Sequence, residues 1–342
     1  MGWHTLLAAA CCLVLALAAC FPAAAATHRL AVIVDTDIGD EFDDSWALAY
    51  LLASPHIEVK MVTTAAHDTV KRAHIVAKYL TAYNASHIPI GIGIQQDDTI
   101  GPLYPWAADF PLASYPGGVH TDGVAAAAAL LNASPEPLVI VALAPFVNLA
   151  ALAKRFPAAA GRVTLISAMG GSIHTCYDGK PGPCPEYNIA EDVSASQALF
   201  AQTWPVHLAP IDTSQSTIDG PLFRALVAAN NTADHPMVTT LLSSYCFWSQ
   251  YKVCGPAGML CCHNSTEDLF DPTAVFMTIT QSGLLPDTPG LALTPLTLRV
   301  SASGETLSDP SGKLVNTAIH WLPGGEAWFH AAFIDTLLDF TT

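Results

Sequence analysis

The sequence predicts one α/β domain with an open, mostly parallel central sheet and helices on both faces. Three observations lead to this prediction: strand and helix signals alternate, the strands are almost entirely apolar, and no repeat or long linker divides the chain. Apolar strands of this kind are typical of parallel sheets that helices cover on each side. The predicted domain covers residues 27–342, after a signal peptide at residues 1–26.

The predicted elements follow one another in βα order. Short apolar runs predict strands, and longer segments with helical spacing of apolar residues predict helices. The predicted strands are residues 30–35, 57–63, 88–94, 138–143, 163–168, 206–211, 296–300 and 317–321. The predicted helices are residues 43–53, 69–83, 123–131, 148–155, 194–202 and 326–340. The segment 170–185 is rich in Gly and Pro, which predicts a loop.

Composition limits the classes of function. The chain has 342 residues, of which 51% are apolar, so it can bury a sizeable core. Its net charge is −16, and it has only 13 Lys and Arg residues. This balance argues against nucleic acids and anionic membranes as partners, but it leaves open a nucleoside, which carries no phosphate.

The N-terminus predicts secretion. Residues 6–21 form an apolar run that is short for a membrane span, and Ala24-Ala25-Ala26 is suited to signal-peptide cleavage. The alternative is a lipobox ending at Cys20, which would anchor the protein through a lipid on that residue. Four N-glycosylation sequons also favour a secretory route; they begin at Asn84, Asn132, Asn230 and Asn264.

Six cysteines remain after signal-peptide removal, and an even number in an oxidising compartment suggests disulfides. Cys176 and Cys184 are the simplest local pair. The pairing of the other four is left open by the sequence; they are Cys246, Cys254, Cys261 and Cys262. We expect disulfides to staple this second segment. A zinc site is the less favoured alternative, because no clean zinc-finger spacing is present.

The stretch DTDIGDEFDD, residues 35–44, has six acidic residues in ten and directly follows the first predicted strand. Crowded carboxylates repel one another unless a positive charge lies among them, which points to a metal ion. Other polar groups also follow strands or begin loops, namely the turn after Leu143, Glu186-Tyr-Asn188 and Asp271. Because ligand sites of open α/β sheets form beyond the carboxyl ends of strands, these groups can converge in one crevice.

Six short motifs occur in a characteristic order. They are Asp35-Thr-Asp37-Ile-Gly39 with the pair Asp43-Asp44, Val62-Thr-Thr64, residues 141–149 with Asn148-Leu149, Ala168-Met-Gly-Gly171, Pro185-Glu-Tyr-Asn188, and Phe270-Asp271-Pro272. In this order they resemble the motifs of the inosine–uridine-preferring nucleoside hydrolases. The resemblance spans about residues 29–340 and implies hydrolysis of the N-glycosidic bond of a small-molecule ribonucleoside.

The resemblance also implies a bound Ca²⁺ ion, and all-oxygen ligation suits that ion. Its expected ligands are the carboxylates of Asp37, Asp44 and Asp271 and the backbone carbonyl of Leu143. Asp37 would act as the base that removes a proton from the attacking water. Asp40 is an alternative ligand, because the acidic loop is two residues longer than is usual in the family.

Ribose binding is expected from acidic and amide side chains in the same motifs. The resemblance assigns this role to Asp43, Glu186, Asn188 and Asp271. Asp35 would either orient the loop from behind the site or cap a tight turn. Asp68 stands near the position of a family Asn that binds substrate, and its alternative role is to cap the helix that follows.

Phe270 stands where many family members have the His that protonates the leaving base. Another group must then activate that base, and we favour His120 in the sequence His-Thr-Asp-Gly. Other candidates are His174, His263 and Tyr187. Tyr245, Trp248 and Tyr251 could stack on a nucleobase, although helix packing is the more ordinary role for each.

Two other functions compete with hydrolysis. Phe270 motivates a relative that binds ribose or a nucleoside without cleaving it. Asp35-Thr-Asp37 also resembles a phosphatase DxD motif, but the chain is poor in Lys and Arg near such a site, which argues against phosphate chemistry. Association into a homo-oligomer is compatible with the family resemblance.

Overall fold

A computed structural model of the chain describes residues 29–230, 232, 234–252, 264–282 and 290–340. The predicted signal peptide and Cys20 lie outside these residues. Within the described ranges, no helix is both long enough and apolar enough to cross a membrane.

Within the described residues, ten strands form one sheet in the order β4-β3-β2-β1-β5-β6-β7-β10-β8-β9. The strands are β1 (Leu30–Thr36), β2 (Ile57–Thr64), β3 (Ile90–Ile92), β4 (Val119–His120), β5 (Leu138–Ala142), β6 (Val163–Met169), β7 (Val206–Ala209), β8 (Leu291–Val300), β9 (Thr306–Ser308) and β10 (Lys313–Trp321). Neighbouring strands from β4 to β10 pair in parallel, whereas β10–β8 and β8–β9 are antiparallel. The predicted sheet, open and mostly parallel, is confirmed.

Helices connect the strands and follow the last of them. They are α1 (Asp43–Ala53), α2 (Thr69–Ala82), α3 (Tyr104–Ala107), α4 (Gly123–Ala133), α5 (Val147–Arg155), α6 (Pro157–Ala160), α7 (Tyr187–Ala190), α8 (Val193–Phe200), α9 (Ile211–Ser214), α10 (Gly220–Ala229), α11 (Pro236–Lys252), α12 (Phe270–Gln281) and α13 (Gly325–Asp339). Two 3₁₀ turns lie at Leu112–Ser114 and Tyr177–Gly179.

The core lies on both faces of the sheet, because successive strand side chains point to opposite sides. On β1, Val32 and Val34 pack in a cluster with α1, α2, α11, α12 and α13. Ile33, between them, packs in a second cluster with α4, α5 and α8. Burial on both faces explains why this strand is apolar throughout, as the sequence indicated.

Prediction and structure differ mainly at element ends and in the last third of the chain. Strand β7 ends at Ala209 because Pro210 has no N–H to continue the ladder. Strands β8 and β10 begin earlier than predicted. The predictions did not include the short strands β4 and β9 or the helices α10, α11 and α12. The predicted disulfide Cys176–Cys184 is present in the 170–185 loop, with the two Cα atoms 5.6 Å apart. Cys254, Cys261 and Cys262 lie outside the described residues.

Candidate active site

A cavity of about 560 Å³ opens at the carboxyl ends of the central parallel strands. This volume is in the range of small-molecule sites, and the position is where open α/β sheets bind ligands. Acidic side chains from the β1–α1 loop and from α12 line its inner part; they are Asp37, Asp40, Glu41, Asp43, Asp44 and Asp271. Its walls come from other loops, with His67, Thr99, Leu143, Met169, Tyr177, Asp178, Glu186, Tyr187, Asn188, Gln215, Lys252, Asp268 and Phe270.

The acidic loop begins where β1 ends and finishes at the first turn of α1. Gly39 allows the turn because its φ is +129°, a value that side chains disfavour, and an added Cβ would lie 2.8 Å from Ile75. Asp43 and Asp44 are the first two residues of α1. Carboxylates are favoured at a helix N-terminus, where the backbone N–H groups concentrate positive charge.

Three buried carboxylates meet at the bottom of the cavity. Oxygen atoms of Asp43, Asp44 and Asp271 lie within 4.8 Å of one another. Asp271 stands in the first turn of α12, so two helix N-termini converge on the cluster. We call these three residues the carboxylate cluster. The Asp44 carboxylate also accepts a hydrogen bond from the Thr36 hydroxyl, which fixes its orientation.

The electrostatics of the carboxylate cluster fit a cation. Burial, followed by the charge of Asp37, raises the pKa of Asp43 to about 8. Burial and neighbouring acids also raise the pKa values of Asp44 and Asp271 well above the usual range for Asp. Ionising all three together therefore requires added positive charge. A buried all-oxygen set of this kind suits a hard divalent ion such as Ca²⁺.

Asp37 lines the same cavity but does not belong to the carboxylate cluster. Burial raises its pKa to about 7, against the opposing effect of Arg72. Asp43, expected to bind ribose, lies with Asp44 and Asp271 where an ion would bind, and the roles of Asp37 and Asp43 stay predictions. The Leu143 carbonyl, the fourth expected ligand, also lines the cavity and accepts a hydrogen bond from the Asn188 amide at 3.1 Å.

The charge of the acidic loop is partly balanced from below by Arg72 on α2, whose side chain is fully buried. Its guanidinium donates to the backbone carbonyls of Asp37, Ile38 and Ala66 and to the Asp40 carboxylate. Asp40 is thus an ion-pair partner of Arg72 as well as a cavity residue. This contact gives the alternative ligand a role in shaping the loop.

Glu186 and Asn188 form one wall, as the sequence predicted. The buried Glu186 carboxylate accepts hydrogen bonds from the backbone N–H groups of Gly171 at 2.7 Å and Asn188 at 2.9 Å. It thereby joins the turn after β6 to the start of α7. Burial raises the pKa of Glu186, although these backbone donors oppose the shift.

Asp35 lies behind the site, at 1% exposure. Its carboxylate accepts hydrogen bonds from Thr63 at 2.5 Å and Asn148 at 2.8 Å, while its other oxygen is buried without a partner. These bonds join β1, β2 and α5 beneath the acidic loop. The orienting role is therefore the one that the structure supports.

Two predicted substrate-binding residues lie outside the cavity, and for Asp68 the alternative role of helix cap is the one that is observed. His120 is exposed on β4, the edge strand of the sheet, which lies beyond β3 and β2 from β1 and away from the cavity. Asp68 caps α2 instead, because its carboxylate accepts the Lys71 N–H at 2.9 Å and pairs with the Lys71 ammonium at 2.8 Å. Neither residue lines the cavity.

Of the other candidates for contact with the base, Tyr187 lines the cavity and Tyr251 is exposed outside it. His174 is exposed outside the cavity, and His263 lies outside the described residues. Trp248 and Tyr245 are buried against Phe42 and pack as ordinary core side chains on α11. The Trp248 indole also donates to the Asp40 carbonyl at 2.8 Å, so it supports the acidic loop from outside the cavity.

Several cavity residues were not identified as site residues from the sequence; they are His67, Thr99, Tyr177, Gln215 and Lys252. His67 and Thr99 follow β2 and β3, and Gln215 follows β7 and α9. Position after the carboxyl end of a parallel strand was the available signal. Tyr177 lies in the disulfide-closed loop, whose path the sequence did not define.

Residues 32–322 match the family model described as inosine-uridine preferring nucleoside hydrolase. The chain belongs to this family of hydrolases that act on N-glycosyl compounds. The match covers most of the chain and includes the acidic loop, the turn after β6 and the start of α12. It confirms the family that the six motifs resemble.

Relatives of known name are similar over part of the chain. A pyrimidine-specific ribonucleoside hydrolase RihA from Salmonella arizonae is 30% identical over 214 residues, which are 58% of this chain and 66% of that protein. A non-specific ribonucleoside hydrolase RihC from Salmonella newport is 29% identical over 231 residues, which are 64% of this chain and 72% of that protein.

Solved structures share the fold over nearly the whole chain. A plant nucleoside hydrolase, PpNRh1, superposes with a TM-score of 0.72 at 20% identity, covering 91% of this chain and all of that one. A purine-preferring ribonucleoside hydrolase from Gardnerella vaginalis gives 0.67 at 18% identity, covering 90% and 99%. These neighbours confirm the α/β architecture.

Proposed function

We propose that the protein is a Ca²⁺-dependent ribonucleoside hydrolase that releases a free base and ribose. The observation that carries the proposal is the buried carboxylate cluster, which opens into a cavity walled by Glu186 and Asn188. Family membership supplies the reaction class. The base preference stays open, because the named relatives include pyrimidine-specific and non-specific enzymes.

The ion would be held by the carboxylates of Asp43, Asp44 and Asp271 and by the Leu143 carbonyl, with Asp37 close by. Oxygen ligands and the absence of Cys or His from this set favour Ca²⁺ over softer metals. When bound, such an ion lowers the pKa of a water that it ligates. The raised pKa values of the cluster are what an added cation would reverse.

The chain's own residues would carry the rest of the chemistry. Asp37 accepts a proton from the attacking water as that water adds to the anomeric carbon. Glu186 and Asn188 bind ribose hydroxyls and hold the sugar in place. The surrounding carboxylates stabilise the positive charge that develops on the ribose ring when the C–N bond breaks.

The decisive experiment measures base release from a panel of purine and pyrimidine ribonucleosides, with calcium and with chelator. We expect calcium-dependent turnover that falls by at least about 100-fold in Asp37→Asn. Asp109→Asn, on an exposed side chain far from the cavity, is the matched control. Bound calcium is measured in each variant. This measurement separates loss of the catalytic base, Asp37, from loss of the ion. Undiminished turnover in Asp37→Asn would exclude Asp37 as the base.

A second candidate function is nucleoside binding without cleavage. Phe270 favours it, because this apolar ring lines the cavity and packs edge-on against Tyr177, 6.2 Å between ring centroids, where an acid is expected. A binding protein would show ribose or nucleoside binding by calorimetry and no base release at high protein concentration. Base release that depends on Asp37 would exclude this candidate.

We also propose secretion through the signal peptide at residues 1–26, with lipid attachment at Cys20 as the alternative. The sequons support the secretory route, and Asn84 is exposed. Expression in a secretory host followed by N-glycosidase treatment tests it. A mass shift and an N-terminus near residue 27 are expected, and an acylated Cys20 would favour the anchor. Gel filtration of the same sample tests whether the protein forms a homo-oligomer.

A further inference from the structure

A nucleobase leaves readily only if it gains a proton or a strong hydrogen bond as the C–N bond breaks. Phe270 cannot donate a proton, and His120 lies away from the cavity. Among the described residues that line the cavity, His67 is the one histidine. It lies in the loop after β2, beside Tyr187 at the start of α7.

His67 is the centre of a hydrogen-bonded chain. Its Nδ1 lies 3.1 Å from an Asp97 carboxylate oxygen, and its Nε2 lies 3.2 Å from the Tyr187 hydroxyl. A Glu191 carboxylate oxygen lies 3.4 Å from the same Nε2. His67 and Tyr187 line the cavity, whereas Asp97 does not, so the phenol is the end of the chain at the cavity.

The backbone holds His67 in an unusual conformation. Ala66 and His67 both have positive φ, 60° and 51°, which is unfavourable for residues with side chains. Backbone bonds compensate: the His67 N–H donates to the Gln96 side chain at 3.2 Å, and the His67 carbonyl accepts the Gln96 N–H at 3.1 Å. Strained residues held in this way cluster at functional sites.

We propose that the Tyr187 hydroxyl, backed by His67 and Asp97, protonates the departing nucleobase and takes the role that Phe270 cannot fill. This inference rests on the proposed hydrolase function. Tyr187 is the catalytic residue of the three, because it would touch the base, and His67 and Asp97 act through it.

The proton transfers balance. As the C–N bond breaks, its electron pair goes to the base, and a base nitrogen or carbonyl oxygen takes the proton of the Tyr187 hydroxyl. The Tyr187 oxygen in turn takes the proton from Nε2 of the His67 imidazolium, in which both ring nitrogens are donors. Neutral His67 remains, with Nδ1–H still bonded to Asp97. Asp37 removes a proton from the attacking water, so the ribose product is neutral.

The charges around the chain suit this direction. Bonds from Thr99, and then from His67, lower the pKa of Asp97, so this carboxylate stays ionised beside Nδ1 of His67. Burial and the charge of Asp37 raise the pKa of Tyr187, so the phenol is protonated before the C–N bond breaks. Lys252, which also lines the cavity, is paired with Glu41.

Two substrates with different leaving groups test the proposal. A nucleoside needs protonation of its base, whereas 4-nitrophenyl β-D-riboside releases a stable phenolate without it. The variants are Tyr187→Phe, which removes one hydroxyl, and His67→Gln, which keeps a hydrogen bond but cannot pass on a proton. His87→Gln, on an exposed histidine outside the cavity, is the matched control.

In both site variants we expect kcat on the best nucleoside to fall by about 100-fold or more. In the same variants, kcat on the nitrophenyl riboside should stay within about threefold of the wild-type value. Equal losses on both substrates would show a merely structural role, and unchanged nucleoside turnover would also overturn the proposal. Wild-type protein that cleaves neither substrate would instead refute the hydrolase function itself. Thermal unfolding of each variant reports folding separately; because Tyr187→Phe changes only a half-exposed hydroxyl, it keeps the test decisive if His67→Gln unfolds.

Discussion

Replacement of Arg72 by Met tests how much the acidic loop depends on its buried counter-charge. Methionine has a similar length but carries no charge and no donors. The change removes the ion pair with Asp40, at 2.6 Å, and the bonds to the carbonyls of Ala66, at 2.9 Å, and Ile38, at 3.1 Å. It also removes the bond to the Asp37 carbonyl. The acidic loop then loses these hydrogen bonds to α2.

The expected loss in the free energy of unfolding depends on how deeply the ion pair of Arg72 and Asp40 is buried. Arg72 is 0% exposed and Asp40 is 29% exposed. Removing one partner of a buried ion pair lowers the free energy of unfolding by about 3–5 kcal/mol, because the remaining charge is left uncompensated. Orphaned carbonyls add about 1–3 kcal/mol each where water cannot reach them. Because the cavity gives water some access to the loop, we expect a total loss of about 3–5 kcal/mol.

Urea unfolding of the calcium-loaded protein measures this loss. Arg72→Lys keeps the charge but not the branched donor group, and we expect it to lose less stability than Arg72→Met. Lys71→Met is the matched control on the same helix; its ammonium is at the surface, so a small change is expected. A loss below about 1 kcal/mol in Arg72→Met would show that the loop does not need this charge.

Four further predictions concern the helix cap, the disulfide, the ion and the dependence of stability on pH. Asp68→Ala should lower the free energy of unfolding by about 1 kcal/mol with KM unchanged, as expected of a cap; a raised KM would restore its substrate role. Replacing Cys176 and Cys184 together by Ser should lower it by about 2.5 kcal/mol, because the bridged residues are only eight apart and the closed loop is short; denaturant titration under non-reducing conditions measures this change. Removing calcium should lower the free energy of unfolding by about 2.7 kcal/mol, compared with the protein in calcium at about 100 times Kd. Because folding raises the pKa values of Asp37 and Asp43 to about 7 and about 8, the folded metal-free protein binds more protons than the unfolded chain, so its stability should rise as the pH falls from 8 towards 5. Melting curves at both pH values test the sign, and a metal-free protein that is more stable at pH 8 would contradict it.

The sequence predicted the parts of the fold that depend on local pattern. β1 and β5 are apolar on both faces because helices cover both, and such runs are visible without a structure. β4 was not predicted, because a strand of two residues is too short to show an alternation of apolar and polar side chains. This strand forms only by pairing with β3. The error over His120 followed from that omission, since the edge position of β4 decides where His120 lies.

The sequence predicted which loops converge at the site. It did not predict which side-chain atoms meet there. The resemblance assigned Asp43 to ribose, and spacing in a lengthened loop does not show that its carboxylate lies beside those of Asp44 and Asp271. His67 was not identified because its direction depends on two successive residues with positive φ, and neither Ala66 nor His67 signals that conformation. Long-range geometry decided both cases.

The carboxylate cluster joins segments that are far apart along the chain, since Asp44 and Asp271 are separated by 227 positions. An ion held by both would act as a removable cross-link between the first βα unit and a late helix. The complete binding site does not exist until α12 has docked against α1, so ion capture would follow that docking. A secreted chain would then acquire its ion only after most of its sequence has been translated. Calcium in the compartment where the chain folds would bind and stabilise only molecules in which both segments have come together.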